Sequence, residues 1–399
     1  RAPMCGVPFH ALDSYLAQLV SAGYKVAIAE QMAEPASVTK GLVPRDVIRV
    51  VTPGTVTGSG VLDEKTNNYI LAAYFGARPD VAWCDLSTGE FKAKSLSAEA
   101  LQDEMADVLA LIGPSEIVTN AERCEQEWMW EDAESSGIMV TQANSRMSFE
   151  EGAPSLLMAY LRDTQKQDIN HLGRLRVLDD ATSMRLDHAT LRNLELTETL
   201  FGKQTAGSLV GVLDKCKTAM GSRRLRQWVK EPLTDKSLID ERLDAVEKLS
   251  DEVFARNNLR ALMVGIYDLE RLVSRISLGR ASVRDMLALK QSTAVLPDIK
   301  AELEGMEDVE YIRRLNSTID DCQDIYELIE ASVADPSEEQ RAGRVIKAGF
   351  SDELDAVRDS VQDSLEWLDN LAATEKARTG IKNLRTGNNK VFGYYIEVP

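Results

Sequence analysis

Hydrophobic residues in the first 52 positions recur at helical spacing and then at strand spacing. Apolar side chains three or four positions apart predict a helix that stops at Gly23, because glycine is favoured just beyond a helix C-terminus. Residues 25–29 predict a strand, and a second strand is predicted at 46–51 after a loop that contains Pro35 and Pro44. One helix and two strands indicate a small α/β segment over residues 1–52.

Residues 53–182 continue with strands and helices in alternation. The run Thr52-Pro53-Gly54-Thr55 has the composition of a turn and linker, so we place a domain boundary there. The predicted elements are strands at 69–75, 81–86, 91–94 and 116–119, a hairpin turn at 87–89 and a helix at 98–112 that Gly113-Pro114 stops. This alternation predicts a second α/β domain.

From about residue 183 onward the pattern is helical almost throughout. Residues 238–249 and 262–276 each keep apolar side chains at three-to-four spacing and are predicted to be helices. The longest helix is predicted after Asp352 and ends at Gly380. About 27 helical residues reach roughly 40 Å, a length that suits a lever or strut.

Both ends of the chain predict an internal fragment of a longer protein. Residue 1 is Arg, and no charged leader or apolar core of a signal sequence follows it. Residues 391–398 have the composition of a strand, and we expect that strand to be left without a pairing partner because the chain stops directly after it.

Composition predicts a globular chain with more than one domain. The 399 residues are 44% hydrophobic and 28% charged, and no run of about 18 residues is apolar enough to span a membrane. Five cysteines and three histidines are scattered without the spacing of zinc ligands. Reduced thiols and a cytoplasmic location are therefore expected, with no membrane partner.

The net charge of −18 argues against a chain that binds DNA by itself, because phosphate recognition needs clustered basic residues. The charge is uneven along the chain. Residues 1–52 hold five basic side chains against four acidic ones, residues 53–182 hold ten against 22, and residues 183–399 hold 31 against 38. The first segment is the one whose charge is compatible with a surface that faces DNA.

One strand carries a candidate catalytic acid. The strand at 81–86 bears Asp85, and the hairpin after it bears Glu90, an arrangement that resembles the opening of a ribonuclease H-like fold. A metal-dependent nuclease is therefore an alternative function, and it requires three or four carboxylates that converge on the metal. The other acids of the helix at 98–112 fall on its solvated face, so the simpler interpretation makes Asp85 a surface or turn carboxylate.

No motif of a catalytic or nucleotide-binding site is present. The sequence contains no Gly-x-x-x-x-Gly-Lys-[Ser/Thr] phosphate loop and no Gly-x-Ser-x-Gly elbow. No histidine lies near a cysteine or serine in a sequence context that supplies an orienting acid. We predict no catalytic residue, metal site or cofactor in this chain, and we do not expect it to be an enzyme.

Several longer runs carry a resemblance to a known family. The first runs are Met4-Cys5-Gly6-Val7-Pro8-Phe9-His10-Ala11, Val51-Thr52-Pro53-Gly54-Thr55 and Asp85-Leu86-Ser87-Thr88-Gly89-Glu90-Phe91, and later ones are Asp268-Leu269-Glu270-Arg271 and Gly349-Phe350-Ser351-Asp352-Glu353-Leu354-Asp355. In content and order these runs resemble the MutS family of DNA mismatch-recognition proteins, and the resemblance covers nearly the whole chain.

The resemblance implies a multidomain fold that is part α/β and part all-α. It implies that residues 1–52 are the C-terminal part of the mismatch-binding domain, 53–182 a ribonuclease H-like but non-catalytic connector, 183–387 an elongated helical lever, and 388–399 the start of a DNA clamp. The family reads DNA with a Phe-x-Glu motif that precedes the opening run. Phe149-Glu150-Glu151 lies far downstream of it and is interpreted as a chance match.

The family resemblance also implies partners and cofactors for the full-length parent protein. These are mismatched double-stranded DNA, a second copy in a dimer, a MutL-type protein bound through the connector, and ATP with Mg²⁺. This fragment is expected to supply scaffold and interdomain signalling, with DNA-backbone contacts from Met4, Lys40, Arg45 and Arg49. The alternative for these residues is solvated surface. A freestanding interaction protein built on the connector and lever remains a further alternative function.

Overall fold

A computed structural model describes residues 6–7, 11–33, 43–58, 62–144, 147–167, 169–178, 183–334, 344–389 and 393–398. The chain divides into two compact units, residues 1–326 and residues 327–399. The predicted mixture of α/β and all-α parts is confirmed at the level of secondary structure. Among the described residues, no helix is long and apolar enough to cross a membrane.

A helix and an antiparallel hairpin form the N-terminal segment, which we define as residues 11–52. Helix α1 (Leu12–Ser21) is followed by β1 (Val26–Gln31), which pairs with β2 (Arg45–Val51). Gly23 has a φ of +82°, in the left-handed region that glycine favours after a helix. These elements confirm the predicted helix and two strands. Buried apolar side chains hold them together, namely Leu16, Val20, Ile28, Val51 and Val56.

A six-stranded mixed sheet forms the centre of the first unit. Its elements are β3 (Tyr69–Tyr74), β4 (Asp80–Asp85), β5 (Glu90–Ser95), α2 (Leu101–Ile112), β6 (Glu116–Thr119), α3 (Glu127–Ser135), β7 (Met139–Gln142), α4 (Ala153–Gln165) and β8 (Arg176–Val177). The strand order is β7-β6-β3-β4-β5-β8. Strands β3, β4 and β5 are antiparallel, whereas β6, β7 and β8 each pair in parallel with their neighbour. We call residues 69–177 the sheet domain.

Alternation along the strands gives the sheet two buried faces. Ile70 and Ala72 point to the face that α4 covers, and Leu71 and Ala73 point to the face that α2 and α3 cover. Both faces therefore carry helices, as the interleaved pattern predicted. Helix α2 begins at Leu101 rather than at the predicted residue 98.

The run between the N-terminal segment and the sheet domain is a buried turn. Pro53–Thr55 form one turn of 3-10 helix, capped by reciprocal hydrogen bonds between Thr52 and Thr55. The predicted turn is confirmed, but Thr52 and Thr55 are almost completely buried, so the run is not an exposed linker. A Cβ atom on Gly54 would lie 2.8 Å from Ile70 Cβ, and only glycine fits there.

Short helices make up the helical region, which we define as residues 188–318. They are α5 (His188–Asn193), α6 (Leu209–Leu213), α7 (Ala219–Lys230), α8 (Lys236–Asp251), α9 (Val253–Leu262), α10 (Leu269–Ser277), α11 (Val283–Ala294), α12 (Leu296–Glu304) and α13 (Glu310–Thr318). The predicted helix over 262–276 is wrong as one element. It breaks after Leu262 because a 3-10 turn intervenes and the Asp268 carboxylate accepts from Arg271 N–H, which starts a new helix.

Helix α14 (Gln323–Ser332) runs across the division between the units. The second unit continues with α15 (Asp352–Thr379), β9 (Arg385–Asn389) and β10 (Gly393–Glu397). Helix α15 has 28 residues and ends at Gly380, whose φ is +71°, so the predicted long helix and its stop are confirmed. The prediction that the last strand lacks a partner is wrong, because β10 pairs antiparallel with β9, a strand that was not predicted.

Candidate functional site: buried polar junctions and the arginines of β2

The four predicted DNA-contacting residues are only partly placed by the structure. Met4 and Lys40 lie outside the described residues. Arg45 is the first residue of β2 and is exposed, whereas Arg49 lies further along the same strand and is half-buried.

A β-bulge places the two arginines of β2 on opposite faces of the hairpin. The register shifts between Ile28 and Ala29, because Ile28 pairs with Arg49 while Ala29 pairs with Val47, leaving one extra residue on β2. Paired residues share a face, so Arg49 lies on the face of Ile28 and Arg45 on the other face. Arg49 is also close enough to Arg280 to affect it electrostatically. Burial, with a further contribution from the charge of Arg49, lowers the pKa of Arg280 to about 10.

A buried carboxylate joins the sheet domain to the N-terminal segment. Glu116 opens β6 and is fully buried, facing α4. One carboxylate oxygen accepts from the hydroxyl of Thr52 and from the Gly54 N–H at 3.3 Å. The other accepts from Thr141 Oγ1 at 2.8 Å and from Tyr160 OH at 2.6 Å. Four donors from three different parts of the chain therefore converge on one side chain.

The lysine directly before β1 adds a positive charge to this junction. Lys25 Nζ lies 3.7 Å from Glu116 Oε1 and donates to Thr141 Oγ1 at 2.5 Å. Burial, together with the nearby Glu116 charge, raises the pKa of Tyr160 well above its ordinary value, so the phenol stays a donor. We call Glu116 with its partners the Glu116 junction. It satisfies a buried charge by hydrogen bonds, as burial demands.

Two buried arginines join the sheet domain to the helical region. Arg271 Nη2 donates to the carbonyls of Asp63 and Thr66 at 2.9 and 2.8 Å, and Arg223 Nη1 donates to the carbonyl of Glu64 at 2.8 Å. Both side chains are thereby hydrogen-bonded to the backbone of the loop that leads into β3. We call this contact the arginine junction.

Carboxylates of α10 and its cap hold Arg223 in place. Arg223 forms a two-pronged ion pair with Asp268, at 2.7 and 2.8 Å, and donates to Glu270 at 2.6 Å. Although burial works in the opposite direction, the hydrogen bonds to Asp268 and Glu270 raise the pKa of Arg223. Paired and hydrogen-bonded charges of this kind are specific in geometry, and removing one partner is costly.

Further polar contacts continue the same seam. Ser274 Oγ donates to the carbonyl of Leu86 at 2.7 Å, next to the hairpin turn of the sheet domain. Arg280 donates to Thr57 Oγ1 at 3.2 Å and to Gln165 Oε1 at 2.9 Å. The helical region therefore contacts the turn, the end of α4 and the segment after the 3-10 turn.

Asp85 is a turn residue, as predicted, but it does not lie on the surface. It is fully buried and accepts from Asn67 Nδ2, Asn68 N, Ser87 N and Ser87 Oγ at 2.7 to 3.1 Å. Both carboxylate oxygens thus hold the loop before β3 and the turn after β4. Among the described residues, no group of three or more His, Cys, Asp or Glu is placed to hold a metal ion. The nuclease alternative gains no supporting observation.

Phe149 of the Phe149-Glu150-Glu151 run belongs to the core of the sheet domain. Its ring packs, half-buried, against the cluster under α4, and the Glu150 N–H donates to Ser155 Oγ at 2.9 Å. This is a local helix-entry contact, consistent with a chance match to the family motif.

The sequence interpretation missed the residues of both junctions. Glu116 is the first residue of a predicted strand, and Arg271 ends one of the runs that carry the family resemblance, but no residue of either junction was singled out as functional. A signal exists for Glu116, because a charged residue begins a strand whose other residues are apolar or β-branched. For Arg271, the signal is its position beside apolar residues of a predicted helix.

The fold and these junctions define a multidomain chain, in which a mixed-sheet domain contacts a hairpin segment and a helical region. Comparison with known proteins identifies its family. The family description MutS domain III matches residues 189–386, and MutS domain I matches residues 1–60. The chain belongs to the MutS family.

Curated relatives carry the name DNA mismatch repair protein MutS. The protein from Acetivibrio thermocellus is 41% identical over 425 residues, which cover 100% of this chain and 49% of the relative. The protein from Staphylococcus carnosus is 41% identical over 409 residues, covering 99% of this chain and 46% of the relative. The chain thus spans about half the length of the curated relatives it matches.

Proposed function

We propose that this chain is the scaffold and signal path of a MutS-type protein that recognises mismatched double-stranded DNA. The observation that carries the proposal is the pair of buried polar junctions, at Glu116 and at Arg223 and Arg271, which both lie at the end of the sheet where β3 begins. A domain joined to its neighbours by buried, hydrogen-bonded charges is displaced together with them. Physical coupling between distant sites travels through such contiguous networks.

The proposal assigns a role to each region. Residues 1–52 are the C-terminal part of a mismatch-binding domain, 53–182 a ribonuclease H-like connector, 183–387 an elongated helical lever and 388–399 the start of a DNA clamp. The mixed sheet with helices on both faces supports the connector assignment. The 28 residues of α15, about 42 Å long at 1.5 Å per residue, support a lever.

DNA contact is proposed for the face of the hairpin that carries Arg45, together with Met4 and Lys40. A basic side chain there would neutralise backbone phosphate and would not read sequence. The mismatch itself is proposed to be read by deformation, because a mismatched step is cheaper to unstack and bend than a paired one. The sequence contains no Gly-Asp-Phe-Tyr-Glu run that would supply the family's reader.

Cofactors and protein partners follow from the family and are proposed for the longer protein. ATP with Mg²⁺ is assigned outside this chain, because no phosphate-loop motif occurs in its sequence. A second copy of the protein and a MutL-type protein, the latter bound through the sheet domain, are the proposed partners. A cytoplasmic location is proposed with them.

A segment exchange tests the proposed function. The matching segment of the Acetivibrio thermocellus relative is replaced by this chain, and binding to duplexes of about 30 base pairs with and without one G·T mismatch is measured beside the unaltered relative. The exchanged protein is expected to prefer the mismatched duplex by at least about fivefold. The 399-residue chain alone is expected to show no preference and no ATP hydrolysis.

A variant of the arginine junction tests, in the same exchanged protein, whether that junction couples mismatch binding to ATP hydrolysis. Arg271→Met in the exchanged protein removes both hydrogen bonds to the loop before β3, and Arg162→Met, an exposed arginine of α4, is the matched control. The first change is expected to reduce mismatch-dependent ATP hydrolysis while leaving mismatch binding, and the second to change neither. A tenfold preference by the chain alone would show that it contains a mismatch reader and that the assignment is wrong.

A further inference from the structure

A cleft of about 600 Å³ opens along the seam between the sheet domain and α7. One wall is the hairpin turn before β5 with the segment that leads into β8, and the other is α7 with Glu270 of α10. Nothing in the proposed scaffold role uses this space. Its volume is typical of a small-molecule site.

The cleft is positively charged in a chain that is strongly acidic. Its charged lining residues are Arg174, Arg176, Arg223, Arg224, Glu90 and Glu270. Four positive charges face two negative ones, whereas the chain as a whole carries −18. A concave site of one sign concentrates ligands of the opposite sign.

Both glutamates of the cleft already have cationic partners. Glu90 Oε1 lies 2.5 Å from Lys92 Nζ, and Glu270 accepts from Arg223 at 2.6 Å. Arg224 donates to the side-chain amide of Gln227 at 3.0 Å. Because that amide is neutral, this contact does not offset the positive charge of Arg224. Arg223 is held by Asp268 and Glu270, so the guanidinium groups of Arg174, Arg176 and Arg224 are the ones that can bind an anionic ligand.

The turn that forms the wall is held in one conformation. Gly89 has a φ of +80°, and its carbonyl accepts from the Gly173 N–H at 2.8 Å. A Cβ atom on Gly89 would lie 2.8 Å from the carbonyl oxygen of His171. The wall that presents Thr88 is therefore built and fixed before any ligand arrives, which lowers the entropy cost of binding.

We propose that this cleft binds a small phosphate-bearing anion between the sheet domain and the helical region. Arg174 and Arg176 approach from one side and Arg224 from the other, so the anion bridges the seam. Guanidinium groups bind phosphate in two-pronged geometry. A cleft of this volume encloses a diphosphate-sized group, whereas duplex DNA would need an extended groove. A bound anion therefore stabilises the arginine junction beside it.

Titration of the 399-residue chain with sodium pyrophosphate tests the proposal. Calorimetry is run against sodium chloride of equal ionic strength, and ³¹P line broadening gives a second readout that does not depend on heat. The test variant is Arg174→Gln combined with Arg224→Gln, and Arg162→Gln, an exposed arginine outside the cleft, is the matched control. All changed side chains are exposed, so folding is expected to persist and is checked by circular dichroism.

The expected result is saturable binding of one pyrophosphate per chain. The double variant is expected to weaken it at least about tenfold, and Arg162→Gln is expected to leave it unchanged. No saturable binding up to about 10 mM, or an equal loss in Arg162→Gln, would overturn the proposal. Duplex DNA that binds through Arg174 and Arg224 while pyrophosphate does not would overturn it as well, in favour of a nucleic-acid surface.

Discussion

The Glu116 junction gives the sharpest test of how the first unit is held together. Glu116→Gln keeps the size of the side chain but leaves only one oxygen to accept hydrogen bonds. Each carboxylate oxygen has two donors, so two of the four lose their acceptor. Hydrogen bonds to a charged group contribute about 1.5–3 kcal/mol each, and the hydroxyl donors recover part of that by rotating to accept. We expect the free energy of unfolding to fall by about 2–4 kcal/mol.

Urea unfolding measures the loss of free energy of unfolding, and hydrogen exchange shows which segments of the chain lose protection. The chain has two compact units, so a single transition for the whole chain is not assumed. Exchange should accelerate in peptides that contain the Thr52 turn and β7, where donors to the Glu116 carboxylate lie. Glu99→Gln, an exposed glutamate of the sheet domain, is the matched control and should stay within about 0.5 kcal/mol of the unaltered chain.

Two results would refute this reasoning about Glu116. One is a Glu116→Gln variant as stable as Glu99→Gln, which would mean that the buried carboxylate contributes nothing. The other is a loss of stability without faster exchange at the Thr52 turn, which would place the effect elsewhere. Thr52→Val should cost less in the Glu116→Gln background than alone, because the hydrogen bond that it removes is already weakened or lost there.

Two further predictions concern the seam and its turn. Burial lowers the pKa of Lys230 to about 8. Between about pH 8 and 10.5 the lysine is protonated in the unfolded chain but neutral in the folded one, so the free energy of unfolding should rise with pH over that window, by up to roughly 3 kcal/mol. Urea titrations at several pH values should show this rise in the unaltered chain and not in Lys230→Met. Gly89→Ala should cost about 2–4 kcal/mol in thermal or urea unfolding, because its φ is +80° and its Cβ would meet the His171 carbonyl; Gly113→Ala, at φ +63° with open space, should cost only about 1 kcal/mol. Equal losses in the two glycine variants, or a rise with pH that persists in Lys230→Met, would contradict these predictions.

Local chemistry made several elements predictable from the sequence. The long helix is specified by apolar spacing from Leu354 onward and by Gly380, which takes the left-handed conformation that ends it. The turn at Gly89 is specified in the same way, by a glycine between two alternating runs. Each signal needs only a few neighbouring residues, so no knowledge of the rest of the fold is required.

Nonlocal contacts were the part that the sequence could not supply. Glu116 forms a buried junction because Thr52, Thr141 and Tyr160 donate to it from three other parts of the chain. Arg271 acts on carbonyl oxygens of residues about two hundred positions away, and every residue has a carbonyl. No composition signal marks such a partner. The pairing of β10 with β9 was not predicted, because the Gly and Asn residues of β9 have low strand propensity and only the contact with β10 makes that segment a strand.

The arginines of β2 show how one extra residue changes a functional interpretation. The family resemblance made both Arg45 and Arg49 candidates for DNA contact, and a spacing of four along a regular strand would put them on the same face. The bulge opposite Ile28 and Ala29 shifts that alternation by one, so the face that carries Arg45 does not carry Arg49. Arg49 lies instead near Arg280, which bonds to Thr57 between the hairpin and the sheet domain. We therefore expect Arg45, and not Arg49, to set the salt dependence of DNA binding in the longer protein.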